Sequence, residues 1–333
     1  MKLQFLLVSL LMLASPARAA EPREHAIAPP AWFSETLLDF REDSRDAAKT
    51  GKRLMVYFGQ DGCPYCKELM QTNFSQKAIA DKARGHFVAI ALNIWGDREV
   101  TWTDGRRFSE KQLAAFLKVQ FTPTLLFFDE KGEVAVRLNG YYPPHHFDAV
   151  LDYVAGHMEK RLRLAEHLKS AAKESASPAL HDEPFFLKPP YDLRRKGEKP
   201  LAVLFETRYC AACDELHREG FRRKDILALL ARFDVARFAL SERAAIVTPE
   251  AMRMAAEDWA RDLGIVYTPS LVFFDAAGKE VFRIEAYLRP FHLRSSFEYV
   301  ASEAYKREPS FQRFLQGRAR EMRERGETVD LWR

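Results

Sequence analysis

The sequence predicts an α/β chain of two tandem copies of one domain, each copy a mixed central sheet flanked by helices. Three observations carry this expectation. The only four cysteines in 333 residues fall into two C-x-x-C pairs, Cys63-Pro64-Tyr65-Cys66 and Cys210-Ala211-Ala212-Cys213. The residues around the pairs repeat. An offset of 147 places Cys63 on Cys210, Cys66 on Cys213, Glu68 on Glu215, Leu69 on Leu216, Phe74 on Phe221 and Val88-Ala89 on Val235-Ala236. After one residue is dropped, an offset of 146 places Thr122-Pro123 on Thr268-Pro269, Phe127-Phe128-Asp129 on Phe273-Phe274-Asp275, Gly132 on Gly278, Tyr141 on Tyr287, His146 on His292 and Tyr153-Val154-Ala155 on Tyr299-Val300-Ala301. Agreement over so long a stretch marks an internal duplication. Third, apolar strand-like runs alternate with helical segments in each copy, and the last strands form a hairpin, the pattern of a mixed sheet with helices on its faces.

In the first copy the apolar run Leu54 to Gly59 reads as a strand and Cys63 opens a helix. A strand follows from Phe87 to Asn93, then a helix from about Glu110 to Leu117 and a strand from Thr124 to Asp129. Glu130-Lys131-Gly132 supplies the turn, Val134 to Leu138 the returning strand, and a last helix follows Pro144. The first copy spans residues 32–158 and the second 199–302. Between them residues 159–198 begin as a charged helical extension and loosen into Ser175-Ala176-Ser177-Pro178 and Lys188-Pro189-Pro190, the composition of a linker. Residues 303–333 carry eight Lys/Arg and six Asp/Glu and read as a solvated helical tail that packs some of Phe311, Phe314, Leu315 and Trp332 on the body.

Residues 1–19 have the build of a secretory signal, with Lys2, an apolar core Leu3 to Leu13 and an A-x-A pattern at Ala17-Arg18-Ala19. The core is shorter than the roughly 20 residues a membrane span needs. Cleavage and export to the periplasm are therefore expected, without stable membrane insertion. Removing Lys2 and Arg18 leaves 49 basic against 47 acidic residues. So balanced a chain gives no support to a nucleic-acid partner.

Cysteines three apart on a helical turn lie within reach of an unstrained disulfide. A staple between distant segments would close a long loop; these pairs close very short ones, which stabilise little. Dithiol chemistry is the expectation. Cys63 at a helix N-terminus sits where backbone N–H groups and the macrodipole favour the thiolate, the attacking form. Pro64 occupies the first turn, where a missing N–H does least harm. Cys66, one turn on, would be the resolving thiol.

A strand that ends in C-x-x-C at a helix start, with Thr-Pro 60 residues later in the first copy and 59 in the second, resembles the thioredoxin fold. The first copy is further similar to exported SoxW-type thioredoxins through Met55-Val56-Tyr57-Phe58, Asp61-Gly62-Cys63-Pro64-Tyr65-Cys66 and Gly140-Tyr141-Tyr142-Pro143-Pro144. The resemblance implies an exported thiol:disulfide oxidoreductase, a reductase in preference to an oxidant, with Cys63, Cys66, Cys210 and Cys213 catalytic. It implies cis peptides at Pro123 and Pro269, client backbone pairing at Thr122 and Thr268, and client contact at Pro64 and Tyr65. Client proteins bearing cysteines or disulfides and a membrane electron donor of the DsbD or CcdA type are the implied partners. No organic cofactor and no metal are required.

The chain departs from that family where thioredoxins carry a buried Asp six residues before the first Cys; Tyr57 and Leu204 stand there, so the proton acceptor for the resolving thiol is unassigned. Glu68 and Glu215 are the nearest carboxylates in sequence and read as exposed helix residues. His145, His146 and His292 read as helix-start or packing groups, and Trp95 and Trp102 lie in an insertion-like stretch, Ile94 to Arg107, either beside the cysteines or in ordinary packing. Two alternatives stay open: a zinc protein using all four sulfurs, and a chain whose second copy is a non-catalytic client- or partner-binding module.

Overall fold

The computed structural model describes residues 26–169, 176–195 and 199–329. The signal-like segment 1–19 and Trp332 lie outside them.

Each copy is built on a four-stranded sheet. In the first, β1 (Arg53–Gly59) pairs in parallel with β2 (Phe87–Asn93) and antiparallel with β5 (Thr124–Phe128), which pairs with β6 (Val134–Asn139). In the second, β8 (Leu201–Glu206), β9 (Asp234–Ala239), β12 (Ser270–Phe274) and β13 (Glu280–Ile284) repeat the order 2-1-3-4. The duplication extends to irregularities. A register shift falls between Phe127 and Phe128 and again between Phe273 and Phe274. The hairpin turns need Gly132 at φ +79° and Gly278 at φ +86°, a backbone region that side chains disfavour. Asp129 and Asp275 close those turns by accepting backbone N–H groups two and four residues on.

Every residue of β1 and β8 is buried, because both sheet faces are covered. Leu54, Val56 and Phe58 face α1 (Phe40–Lys49) and α4 (Glu110–Phe116), while Met55 and Tyr57 face the side of α2 (Pro64–Glu68), α3 (Lys77–His86) and α5 (Pro144–Ala155). In the second copy Leu201, Val203 and Phe205 face α9 (Ala256–Asp262). Ala202 and Leu204 face the side of α7 (Ala211–Glu215), α8 (Lys224–Leu230) and α10 (Pro290–Ala301). The two inner faces join in one apolar core. The copies are therefore packed against each other through the side that bears the cysteine helices.

Between α1 and α4, β3 (Glu99–Thr101) and β4 (Arg107–Ser109) form a small hairpin where the sequence reads as an insertion; Trp102 packs there against Phe40 and Phe128, away from the cysteines. The segment between the copies carries α6 (Leu164–Leu168) and β7 (Tyr191–Asp192). β7 joins the sheet edge formed by β10 (Ala245–Val247) and β11 (Arg253–Ala255), with Leu193 buried beside it, while Phe186 is buried where it bridges Val235 of β9. Burying each such side chain contributes about 1.5–3 kcal/mol. α11 (Phe311–Glu324) is amphipathic as the tail composition suggests, with Phe311 and Leu315 buried.

Residues at equivalent positions meet across the junction. The Asn139 amide donates to Glu285, and Gly140 lies so close to Ala286 that a Cβ there would come within 2.8 Å of the Ala286 methyl. Both pairs are 146 apart, the repeat offset, so a pseudo-twofold axis passes between them. Tyr142 of the first copy stacks on Tyr267 of the second at 4.1 Å. Among the described residues no helix is long and apolar enough to cross a membrane.

Candidate redox sites

Both cysteine pairs stand at a strand-to-helix corner, in the disulfide state, with Cα atoms 5.2 Å apart in each. Cys63 is the N-cap of α2 and Pro64 its first residue, so the helix begins one residue later than the sequence suggests. The Cys66 backbone N–H points at Cys63 Sγ from 3.0 Å, and Cys213 N–H at Cys210 Sγ from 3.1 Å. An N–H aimed at a sulfur stabilises the thiolate over the thiol, adding to the helix dipole. Both short helices run on into a wider π-helical turn, Leu69–Asn73 and Leu216–Gly220.

The Thr-Pro loops face the sulfurs in both copies, and both Thr-Pro peptides are cis, as is Pro189-Pro190. Cys63 Sγ lies 3.3 Å from Thr122 O, and the Thr122 hydroxyl donates to that sulfur at 3.3 Å. Around Cys210 the same contacts to Thr268 are 3.8 Å. The resolving sulfurs are sealed, with Cys66 at 0% and Cys213 at 2% exposure.

The first site is closed by the second copy. Tyr65 is 8% exposed, and its phenol oxygen accepts the Arg289 backbone N–H at 2.7 Å while its ring meets His292 edge-on at 5.2 Å. Burial, with the Arg289 charge adding to it, pushes His292 down to about 4, so the ring under Tyr65 is neutral. Glu68 reaches Arg289 at 3.5 Å, an ion pair between copies rather than a solvated carboxylate. From the other side α11 bonds the cis-proline loop: Gln312 accepts from Gln60 at 2.6 Å and donates to Gln120 O at 2.9 Å. Gln60 in turn donates to the Thr122 hydroxyl at 3.0 Å and accepts from the Trp95 indole at 2.6 Å, which places Trp95 beside the cysteines. Gln60, Gln312 and Arg289 give no signal in the sequence, since polar residues far apart in the chain carry no periodicity.

The second site is more open. Ala211 and the preceding Arg208 and Tyr209 are exposed, Tyr209 at 47% and with φ +56° where the first copy has Gly62 at φ +73°. Beneath α7 lies a buried charged group. His217 is bonded to Glu206 and to Glu183, each at 2.9 Å, and the exposures of His217 and Glu206 are 2% and 1%. Burial alone would push His217 down, but the two carboxylates outweigh it and hold the imidazole above its ordinary value. Asp214, bonded to His181 at 2.7 Å and to the Ser177 N–H at 2.8 Å, is held low by those bonds against the opposing effect of burial. Glu206 follows Leu204 on the α7 face of β8, one of the two residues standing where thioredoxins have their buried Asp; period two places it.

The sequence profile of the thioredoxin-like domain matches residues 40–155 and again 192–301, together more than half of the chain. The chain belongs to the thioredoxin-like domain family. Single thioredoxin-like copies are similar to several solved structures. A thioredoxin-fold protein from Helicobacter pylori is 27% identical, with 40% of this chain and 89% of that one covered at a TM-score of 0.32. A thioredoxin from Thermus thermophilus is 25% identical, with 35% and 83% covered at 0.28. The reduced C-terminal domain of DsbD from Neisseria meningitidis is 13% identical, with 31% and 82% covered at 0.24. Comparison with curated proteins returns no match. Two thioredoxin-like copies, each with a C-x-x-C against its own Thr-Pro loop, make the chain a thiol oxidoreductase in general terms.

Proposed function

We propose that the chain is an exported protein thiol:disulfide oxidoreductase that works as a reductase, with both cysteine pairs active. The observation that carries the oxidoreductase reading is the repeated aim of the resolving residue's backbone N–H at the first sulfur, 3.0 Å in one copy and 3.1 Å in the other; the reductase direction rests on the resemblance of the first copy, and export on the signal-like residues 1–19. It favours the attacking thiolate at Cys63 and Cys210.

In the forward direction the Cys63 thiolate attacks one sulfur of a client disulfide, the client S–S bond breaks and one client thiolate leaves. Cys66 then loses its proton and attacks Cys63 Sγ, releasing the second client thiolate and leaving Cys63 joined to Cys66. Two electrons pass to the client, and the two protons from the dithiol end on its thiols. Cys210 and Cys213 repeat the steps. Thr122 and Thr268 offer backbone groups beside the sulfurs, and the side chains of Pro64 and Tyr65 border the first. In an oxidising compartment the dithiols need recharging, the role of a membrane donor of the DsbD or CcdA type.

Reduction of insulin with dithiothreitol as electron source tests this. Chains that keep only Cys63 and Cys66, or only Cys210 and Cys213, should each accelerate insulin precipitation over the dithiothreitol blank. A chain with all four cysteines changed to serine should match the blank. Equal rates for the parent and the all-serine chain would sink the proposal.

A further inference from the structure

The duplication lets each residue of one copy be judged against its counterpart in the other. Arg137 on β6 and Arg283 on β13 are such a pair, 146 apart. Each sends a guanidinium nitrogen to the C-cap carbonyl of a helix, Arg137 to Leu117 O at 2.7 Å and Arg283 to Leu263 O at 2.9 Å. There the likeness ends. Glu280 holds Arg283 through two hydrogen bonds, at 2.6 and 2.7 Å, and Glu285 adds a third at 3.3 Å. The counterpart of Glu280 is Val134, and among the described residues no carboxylate touches Arg137. Its other bonds go to Asn139 Oδ1 at 2.8 Å and Lys118 O at 3.2 Å. Three of its five N–H donors are thereby used and two are left over. The electrostatics differ accordingly. Burial pushes Arg137 below its ordinary value against a weaker opposing pull from Glu285, while around Arg283 the Glu280 and Glu285 carboxylates outweigh burial and raise it.

A second departure stands beside the first. Lys118 follows the C-cap of α4 at φ +50°, where the other copy has Gly264 at φ +69°. Glycine takes that backbone freely and lysine does not, so the first copy keeps a cation at a position whose backbone favours glycine.

Arg137 and Lys118 share the wall of a cavity of about 1020 Å³ at the junction of the copies. This is at the upper end of the roughly 300–1,000 Å³ of small-molecule sites. The cavity lies away from the redox chemistry. Along β6, Arg137 and Asn139 alternate with Val136 and Leu138, which face α5, and among the described residues no cysteine and neither Thr-Pro dipeptide lines it. Much of its wall is aromatic, with Trp95, Phe121, Phe282, Tyr299 and Tyr305. The carboxylates in the wall are already engaged: Glu280 and Glu285 by Arg283, and Glu308 by the Ser310 N–H at 3.0 Å. Lys111 is paired with Asp97. Arg313 is not paired with a carboxylate among the described residues, and its guanidinium lies 5.9 Å from the Trp95 ring. The charge left to a ligand is therefore positive, on Arg137, Lys118 and Arg313.

We propose that this cavity binds a small organic anion, with its carboxylate or phosphate head on Arg137 and Lys118 and an aromatic body against the rings of the junction. Arg137 offers the donors that Arg283 spends on Glu280, and the ligand supplies the acid that Val134 does not. The site uses no sulfur and stands apart from the oxidoreductase reading.

The test is calorimetric titration of 2-naphthoate, 2-naphthyl phosphate and the neutral 2-naphthamide into the oxidised parent chain. At least one of the two anions should bind about tenfold or more tightly than the amide, the factor expected for a charge-assisted hydrogen-bond pair, and the tighter of the two names the head group. The bound probe should shift the Trp95 indole N–H signal in NMR, which places it in this cavity. Two variants borrow residues from the second copy. Val134→Glu gives Arg137 the acid that Arg283 has, at a position 42% exposed where the carboxylate has room, and should weaken the anion about tenfold or more. Lys118→Gly should weaken it about two- to fivefold, the worth of one exposed charge, while unfolding no more easily than the parent, because glycine suits that backbone. Near-UV circular dichroism reports that each variant is folded. Failure of both anions to bind, equal affinity for the amide, or an affinity that Val134→Glu leaves unchanged overturns the proposal. None of these results bears on insulin reduction, so the two readings fail separately.

Discussion

In a chain with Cys210→Ser and Cys213→Ser, adding Cys66→Ser should trap a stable mixed disulfide between Cys63 and a client, whereas adding Cys63→Ser should trap none. The difference follows from position. Cys63 is the N-cap of α2, with the Cys66 N–H at 3.0 Å and the Thr122 hydroxyl at 3.3 Å from its sulfur, all favouring the thiolate. Cys66 is fully buried and bonded to Cys63. Both variants should lose turnover by several orders of magnitude, because each removes one half of a two-step displacement. Non-reducing gels after a pulse of oxidised insulin or another disulfide-bearing client, added to the pre-reduced chain, read the trap directly. A trapped adduct on Cys66 in the Cys63→Ser chain would reverse the assigned roles.

His217→Leu should destabilise the second copy by about 3–5 kcal/mol, since it leaves Glu206 buried without its charged partner. The same histidine imposes a pH dependence. Its imidazole titrates above the ordinary value of 6.5 in the folded chain because Glu206 and Glu183 hold the charged form. The stability it contributes is therefore complete below pH 6.5, and it is lost as pH rises through the folded value. Urea unfolding between pH 6 and 9 should show the parent weakening with rising pH and His217→Leu lacking that component. A parent whose stability is flat or rising over that range would contradict the ion triad. Glu206→Gln should weaken the dependence without abolishing it, because Glu183 remains.

Much of the fold is legible in the sequence because the chain states it twice. A strand such as Leu54 to Gly59 is readable on its own as a continuous apolar run, and the Thr-Pro spacing ties it to a second strand some sixty residues on. Helix α1 is not readable in this way: Phe40 to Lys49 is mostly charged, and only Phe40, Ser44 and Ala47 turn inward. Nor is β7, two residues long and held by its neighbour's edge rather than by its own pattern. In the sites, local spacing identifies the four cysteines and both Thr-Pro loops. It cannot show that Tyr65 is received by Arg289, 224 residues away, nor that Gln312 reaches Gln60 across 252. Those contacts belong to the packing of copy on copy. Sequence pattern records which face a residue takes within its own element, and it is silent on which copy that face meets. The buried Glu206 is a similar case, a polar residue closing an apolar strand whose partner His217 becomes visible only once α7 folds back over β8.

The central claim is that both pairs are redox-active couples of a reductase. A redox titration of each pair in a chain whose other pair is serine tests it most directly, with thiol trapping after equilibration against glutathione or dithiothreitol buffers. Each pair should titrate reversibly as a two-electron couple, with a midpoint nearer thioredoxin's, about −270 mV, than DsbA's, about −120 mV. A pair that fails to titrate, or one with a midpoint near −120 mV, would contradict the account: the first would make that copy a docking module, the second an oxidant.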